Sequence, residues 1–253
     1  MKTIAVVAQK GGTGKTTTAQ ALGAGLARRG LRTLLIDLDA QANLSYTLGA
    51  DTGRAGAFDV LTGRATAAQA IQRRRGQVDV IPAGPSLAGA DLAITQAGKE
   101  YRLRDALKPL ERAYDVCIID SPPALGILTV NALTASATAI VTAQADIFSL
   151  QAIGALAATV EAIRQHTNPA LTIGGILITR HNPRTVLSRD IIDMMKDASA
   201  KLNTRIYAAK IRECTALKEA QAMRRDIFAY ALRSNAAADY DAFIDELRQG
   251  ARI

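Results

Sequence analysis

The run Lys10-Gly11-Gly12-Thr13-Gly14-Lys15-Thr16-Thr17 constrains this chain more than any other feature. It follows the short apolar run Thr3–Ala8 and opens Lys15–Arg29, whose pattern is helical. A strand that turns into a helix through glycines brings several main-chain N–H groups toward one point. Glycine permits the backbone angles and the close approach, and the helix N-terminus adds a dipole that favours an anion. A loop of this kind cradles a phosphate chain. Lys15 is placed to reach β- and γ-phosphates and the Thr16 hydroxyl to ligate Mg²⁺. Gly11, Gly12, Thr13, Gly14, Lys15, Thr16 and Thr17 form the candidate nucleotide-binding set. A glycine turn that merely precedes a helix is the bland alternative, and eight specified residues in the required context make it a poor one.

The remainder of the chain alternates in the same way. Apolar runs at Thr3–Ala8, Thr33–Asp37, Val78–Pro82, Val116–Asp120, Ala139–Thr142 and Ile173–Thr179, with a weaker one at Arg205–Ala209, are nearly continuous in Ile, Val and Leu. Strands covered on both faces read this way. Helical patterns lie between most of them, at Lys15–Arg29, Arg102–Ala113, Leu150–His166 and Arg189–Leu202, and Ala237–Gln249 reads as a closing helix. Alternation of this kind predicts an α/β fold: a doubly wound, mostly parallel sheet with helices on both faces. Hydrophobic residues make up 49% of the 253, enough for one large core, and no repeat or low-complexity linker divides them, so residues 1–253 read as one domain. Gly49–Arg75, rich in Ala, Gly and Thr, is the segment least defined by pattern.

Two acidic sites follow the loop. The first is Asp37-Leu38-Asp39-Ala40-Gln41-Ala42-Asn43, after the second strand; the second is the strand Val116–Ile119 ending in Asp120, followed by Ser121-Pro122-Pro123. A carboxylate near a terminal phosphate orients water or accepts its proton, and one at a strand's carboxyl end sits beside a Mg²⁺ water shell. A helix N-cap is the competing role, stronger for Asp37 than for Asp39. Neither Cys117, inside an apolar run, nor Cys214 has metal-ligand or disulfide spacing.

The loop departs from the ordinary GxxxxGK[ST] form, with Gln9 where glycine is expected and a lysine at position 10. As KGGxGKTT it resembles the deviant Walker A motif of the ParA and MinD ATPases. The acidic segments resemble that family's DxDPQGN, with Ala40 for Pro and Ala42 for Gly, and its Walker B strand with the following PPSLG-like run, here Pro122–Gly126. The resemblance implies a P-loop ATPase in which Lys10 reaches across a dimer to the phosphates of ATP bound by the other subunit. Asp39 would then orient the attacking water and support Mg²⁺, and Asp120 would lie at the Mg²⁺ site. Lys10, Lys15, Asp39 and Asp120 are thus the implied catalytic set, and Thr16, Asp39 and Asp120 the metal set. No NKxD guanine element is present, so ATP is the expected nucleotide. The family's adenine-contacting segment has Ile211-Arg212-Glu213-Cys214 as its counterpart.

A net charge of +8 bears on partners, because basic surfaces bind phosphate-rich polymers through counterion release. Between Arg180 and Arg225, eleven Lys or Arg stand against five acids, a local balance of +6. Aromatics are only 4% of the chain, which favours duplex backbone contact over base stacking. Asn182–Ser188 resembles the family's (D/N)xRTNLS element and places its DNA-contacting arginine at Arg184, whereas the second family arginine falls on Ala216. Arg189, Lys218, Arg224 and Arg225 are the further DNA-binding candidates; the Arg73-Arg74-Arg75 run is another, with an exposed helix end as its first reading.

The expected function is a ParA-like ATPase for DNA partitioning or cargo positioning. It would dimerise with ATP, bind duplex DNA non-specifically and hydrolyse slowly until a ParB-like partner stimulates it. The alternative is a MinD-like membrane-associated regulator. It is disfavoured because Asp239–Gln249 carries Asp239, Asp241, Asp245 and Glu246 rather than a basic amphipathic pattern. A small-molecule ligase on the same scaffold is a third reading. No signal peptide opens the chain, and the apolar stretch Ala124–Val141 is interrupted by hydroxyls and an amide, so it is not read as a membrane span. A cytoplasmic, nucleoid-associated protein is expected.

Overall fold

A computed structural model describes residues 1–73, 78–182 and 186–251. Seven strands, β1 Lys2–Val7, β2 Thr33–Asp37, β3 Asp79–Ile81, β4 Val116–Asp120, β5 Thr138–Ala143, β6 Thr172–His181 and β7 Ile206–Arg212, form one sheet. Their order is β3-β2-β4-β1-β5-β6-β7, and every neighbouring pair is parallel. The doubly wound sheet expected from the alternation is therefore present, with strand limits within three residues of those read from the sequence.

Strand β4 shows why the runs are apolar throughout. Successive side chains point to opposite faces: Cys117 and Ile119 join the cluster on one face, Val116 and Ile118 the cluster on the other. All four are at most 1% exposed. Burying a Val, Leu or Ile this completely stabilises the fold by about 1.5–3 kcal/mol each. Cys117 is the small buried hydrophobe its context suggested, and burial pushes its thiol pKa up.

The helices, in order, are α1 Lys15–Arg28, α2 Asn43–Thr47, α3 Ala57–Thr62, α4 Ala67–Ala70, α5 Ala90–Ala93, α6 Arg102–Leu107, α7 Ile127–Thr134, α8 Ile147–His166, α9 Val186–Lys201, α10 Thr215–Ala222, α11 Ile227–Ala231 and α12 Asn235–Ala251. One face of the sheet is covered by α1 with α11 and α12, and the other by α3 and α6 through α9. The helix expected over Arg102–Ala113 ends at Leu107 and tightens into a 3₁₀ turn, Lys108–Leu110, because Pro109 has no N–H to continue the ladder. Gly49–Arg75 holds α3 and α4. The ill-defined pattern there reflects elements of only six and four residues. The stretch Ala124–Val141 splits into α7 and the core of β5 and spans nothing.

Two helices define the limits of the membrane reading. Helix α8 is long and apolar enough to cross a bilayer by length and composition, with a mean hydropathy of 1.3. Its Ile153, Leu156, Val160 and Ile163 nevertheless lie on the sheet as a core-covering stripe. In α12 the apolar face (Tyr240, Phe243, Ile244 and Leu247) is buried against α1 and β7. Its acids bind neighbouring groups of the same chain: Asp239 pairs with Arg212, Asp241 and Asp245 with Arg29, and Glu246 accepts from the Ala208 and Ala209 amides.

Candidate nucleotide site

Because all strands run the same way, the carboxyl ends of β1, β2 and β4 lie along one edge. The loop after β1 occupies the middle of that edge, where ligands of doubly wound sheets bind. Gly12 and Gly14 have φ of 76° and 78°, in the left-handed region that a Cβ disfavours. Strands to the side hold the loop by its carbonyls. Thr179 Oγ1 donates to Thr13 O at 2.8 Å and Gln144 Nε2 to Gly12 O at 2.8 Å, while Thr13 and Thr142 share a hydroxyl hydrogen bond at 3.0 Å. With carbonyls tied back, the main-chain amides remain for a ligand. Helix α1 starts at Lys15 with no side-chain cap, so its first-turn N–H groups are open to an anion.

The loop opens on a cavity of about 590 Å³ lined by Gly11, Gly12, Gly14, Lys15, Thr16 and Thr17. Asp39, Gln41, Asn43 and Tyr46 line it from the segment after β2, and Gln221 from α10. Of the seven predicted binding residues, six line this space. Thr13 does not: it is 1% exposed and its hydroxyl is committed to Thr142, so its side chain staples the loop and only its backbone is available.

Lys15 is buried, and burial lowers its pKa against the opposing pull of Asp120 and Asp39. Its Nζ donates to Lys10 O at 3.3 Å. Asp37 and Asp120 are register partners at the ends of β2 and β4, and both are fully buried. Asp37 accepts from Ser45 N and Oγ at 2.8 and 2.7 Å and from Asp39 N at 3.1 Å. It thereby ties the first turn of α2 to the end of β2, although it is not the helix N-cap considered above: that position is Ala42 and has no side-chain cap. Burial, reinforced by Asp39, pushes its pKa up to about 6 even though these bonds oppose the shift.

Asp120 is different. Burial and the charge of Asp37 raise its pKa well above the carboxylate range, with the Thr16 hydroxyl and the Lys15 ammonium opposing. Neither Asp120 oxygen makes a hydrogen bond of good geometry, and a buried carboxylate left this way is costly. A hard cation beside Thr16 and Asp120, with Asp39 across the cavity, removes that penalty, so the donor set fits Mg²⁺. No group of three or more His, Cys, Asp or Glu gathers as a metal cage among the described residues. Mg²⁺ sites that draw on phosphate oxygens and water need no such cage.

Lys10 opens the loop beside Thr13 and Ser149, outside the lining of this cavity, and turns to its own chain. Its Nζ is 2.5 Å from Asp146 Oδ2 and 5.8 Å from the Phe148 ring centre. Asp146 also caps α8, accepting from Ser149 N at 2.8 Å. Burial raises the Asp146 pKa, but the bonds from Lys10 and Ser149 outweigh it and hold the carboxyl below its ordinary range. The segment after Asp39 carries a second departure from the ordinary: Ala42, where the resembled motif has glycine, adopts φ 52° and ψ 31° as the residue entering α2. A Cβ in this region costs roughly 1–2 kcal/mol, so the substitution places strain in the loop that holds Asp39.

Thr142, Gln144, Asp146, Thr179, Tyr46 and Gln221, whose Nε2 donates to Thr17 Oγ1 at 2.8 Å, were not found from the sequence. They lie far from the loop along the chain, and isolated hydroxyl or amide residues carry no spacing signal. Among the adenine-segment residues, Arg212 is fixed by a two-pronged pair with Asp239.

The basic segment is less free than its composition suggests. Arg180, Lys196, Arg205, Arg212 and Lys218 all have carboxylate partners, Lys218 at 3.7 Å from Glu213. Arg224 and Arg225 are exposed. Arg73 is also exposed, but it is not the helix end expected: α4 closes at Ala70, and Arg73 follows the isolated bridge between Gln72 and Val80. Arg74, Arg75, Arg184 and the side chain of Arg189 lie outside the described residues.

The chain is similar to known proteins over nearly its whole length. A family model described as an AAA domain matches residues 1–173. The chromosome partitioning protein ParA of Caulobacter vibrioides is 37% identical over 246 residues, covering 95% of this chain and 91% of that protein. The sporulation initiation inhibitor Soj of Bacillus subtilis is 38% identical over 244 residues, covering 94% and 95%. A Mycobacterium smegmatis structure named cobyrinic acid a,c-diamide synthase, with bound ADP and magnesium, superposes with a TM-score of 0.86 at 34% identity, covering 100% and 96%. With a phosphate loop of deviant form, two buried strand-end carboxylates and relatives matched over nearly their whole length, the chain belongs to the ParA/MinD family of P-loop ATPases, in company with ParA and Soj.

Proposed function

We propose that this chain is an ATP-driven switch for DNA partitioning or cargo positioning, acting as one P-loop domain. It binds MgATP, pairs with a second copy, and in that form holds duplex DNA without reading sequence. The observation that carries the reading is the cavity lined by the glycine loop, Lys15, Thr16 and Asp39, with the buried Asp120 carboxylate close enough to Lys15 and Thr16 to act on their charges and bonds. The names of its ParA and Soj relatives support partitioning.

Each residue has a task in the reaction. Loop amides and Lys15 hold the β- and γ-phosphates, and Lys15, stripped of water, directs its full charge at them. Thr16 and Asp120, supported by Asp39, would hold Mg²⁺, which would supply charge to neutralise the phosphates. Asp39 orients a water whose oxygen bonds to the γ-phosphorus as the bond to the β–γ bridging oxygen breaks, giving ADP and phosphate. Lys10 leaves Asp146 to reach the facing subunit's phosphates, which makes ATP binding and dimerisation one event. Hydrolysis is slow until a ParB-like partner binds, and the protein is cytoplasmic and nucleoid-associated.

The test is retention on non-specific duplex DNA at low salt with ATP, with ADP and with no nucleotide. Retention that ignores nucleotide, or none at all, removes the DNA part and spares the ATPase. The membrane alternative loses support from α12, whose apolar face lies in the core. The name of the mycobacterial structure points to amide synthesis. Steady ATP turnover with no carboxylate acceptor present separates the present reading from that one.

A further inference from the structure

A second cavity, about 840 Å³, runs beside α1 on the face away from α8. Its wall includes the α1 residues Gln20, Ala24, Ala27 and Arg28, which recur at helical spacing, and it reaches the amino ends of β2 and β3. Thr47 belongs to both this groove and the nucleotide cavity. Helix α10 also touches both: Gln221 lines the nucleotide cavity, and Arg224 and Arg225, just beyond the helix end, line the groove.

The groove lining carries an excess of positive charge. Five arginines line it, Arg28, Arg32, Arg73, Arg224 and Arg225, against Asp79 and Asp226. Both acids are engaged: Asp79 accepts from Tyr114 Oη at 2.6 Å, and Asp226 caps α11. Arg32 is neutralised by Asp115, and Arg28 lies 3.7 Å from Asp241. Arg224 and Arg225 form no ion pair among the described residues; Arg225 donates to Ala229 O and Arg224 stacks over Tyr46, 4.3 Å from the ring centre. At the groove wall Gln20 is 4% exposed and its Nε2 has no partner.

Arg224 also occupies an unfavourable place. Helix α10 ends with Arg224 N–H bonded to Gln221 O and Arg225 N–H to Ala220 O, which puts residue 224 at a left-handed φ of 51°. Glycine is the preferred residue at this helix-end position. An arginine kept there against backbone preference points to a task for its side chain.

We propose that this arginine-lined groove is where the protein holds backbone phosphates of duplex DNA. The inference rests on the DNA-retaining reading above and supplies the surface for it, at a place distinct from Arg184 and from Lys218. Charge complementarity argues for a polyphosphate occupant. The groove lining argues for a duplex: its one aromatic residue, Tyr114, is 8% exposed, and Tyr46, outside the groove, already has Arg224 over one face of its ring, so the groove itself offers little stacking surface to an unpaired base. Since the groove shares Thr47 and α10 with the nucleotide cavity and Arg224 rests on Tyr46, a change of nucleotide reaches it through one layer of side chains.

The experiment compares wild type, Arg224→Gly/Arg225→Gln and Lys218→Gln by anisotropy on a fluorescent mixed-sequence duplex. Each is loaded with Mg²⁺ and a non-hydrolysable ATP analogue across a salt series. The double variant is expected to bind on the order of tenfold or more weakly at low salt, with a plot of log K against log salt shallower by about 2 for each subunit that engages the duplex. Its ATP turnover without DNA and its Tm are expected to hold or, for Tm, to rise as glycine relieves the strained position. A double variant matching wild type in affinity and slope, while Lys218→Gln loses a contact, overturns the groove and leaves DNA retention standing. Wild type that fails to bind duplex at all overturns the DNA reading itself.

Discussion

The Lys10–Asp146 pair makes a prediction with two opposite signs. The lysine assigned to the facing subunit's phosphates is here bound within its own chain, at 2.5 Å, with side chains 29% and 31% exposed. A charge-assisted pair in so partly solvated a setting is worth about 1 kcal/mol. If dimerisation draws Lys10 away from Asp146 in both subunits, two pairs break per dimer, and the opposing free energy is about 2 kcal/mol. Asp146→Asn removes the charge while keeping the cap on Ser149, since asparagine caps helices as well as aspartate does. Association in Mg²⁺ and a non-hydrolysable ATP analogue should therefore tighten by about 30-fold. The nucleotide-free monomer should lose about 1 kcal/mol, a fall in Tm of about 2–4 °C. Sedimentation velocity over a concentration series reads the first, calorimetry the second. Unchanged or weaker association of the variant would refute the idea that this pair restrains Lys10.

Other expected outcomes follow from single residues. Asp39→Ala should slow turnover by on the order of 100-fold or more and leave a long-lived nucleotide-bound dimer; rapid phosphate release in that variant removes Asp39 from the mechanism. Gly25→Ala should destabilise, although alanine ordinarily strengthens a helix, because the new Cβ would stand 2.2 Å from Cδ1 of fully buried Ile244. An overpacking penalty of about 1–3 kcal/mol exceeds or matches a propensity gain of about 1, and a raised Tm would contradict the α1–α12 packing. Asp37 is raised to about 6, so its stabilising contribution is present below about pH 4 and lost as pH rises through 6. In metal-free, nucleotide-free protein, wild type should lose up to about 3 kcal/mol relative to Asp37→Asn between about pH 4 and pH 7. Urea midpoints that rise for wild type relative to the variant would show that the sign is wrong.

Much of this was legible in the chain itself. The phosphate loop is local: a turn that must present amides to an anion writes itself as glycines at fixed offsets, and Gly12 and Gly14 do adopt the left-handed angles that require them. Strands β1 to β6 were legible because a parallel strand buried on both faces has no polar face to blur the pattern. Asp39 and Asp120 could be placed because strand ends deliver side chains to one edge of such a sheet.

What only the tertiary structure decided is what those residues meet. Nothing near Lys10 in sequence names Asp146, 136 residues away, and nothing in the basic stretch distinguishes paired Arg212 from unpaired Arg225. Composition counts charges, but the fold sets their neighbours, and in a medium of low dielectric the neighbours decide whether a charge is neutralised, restrained or left to bind something else. The groove beside α1 has its cations on segments from Arg28 to Arg225, so its charge exists only once the sheet has brought those segments together.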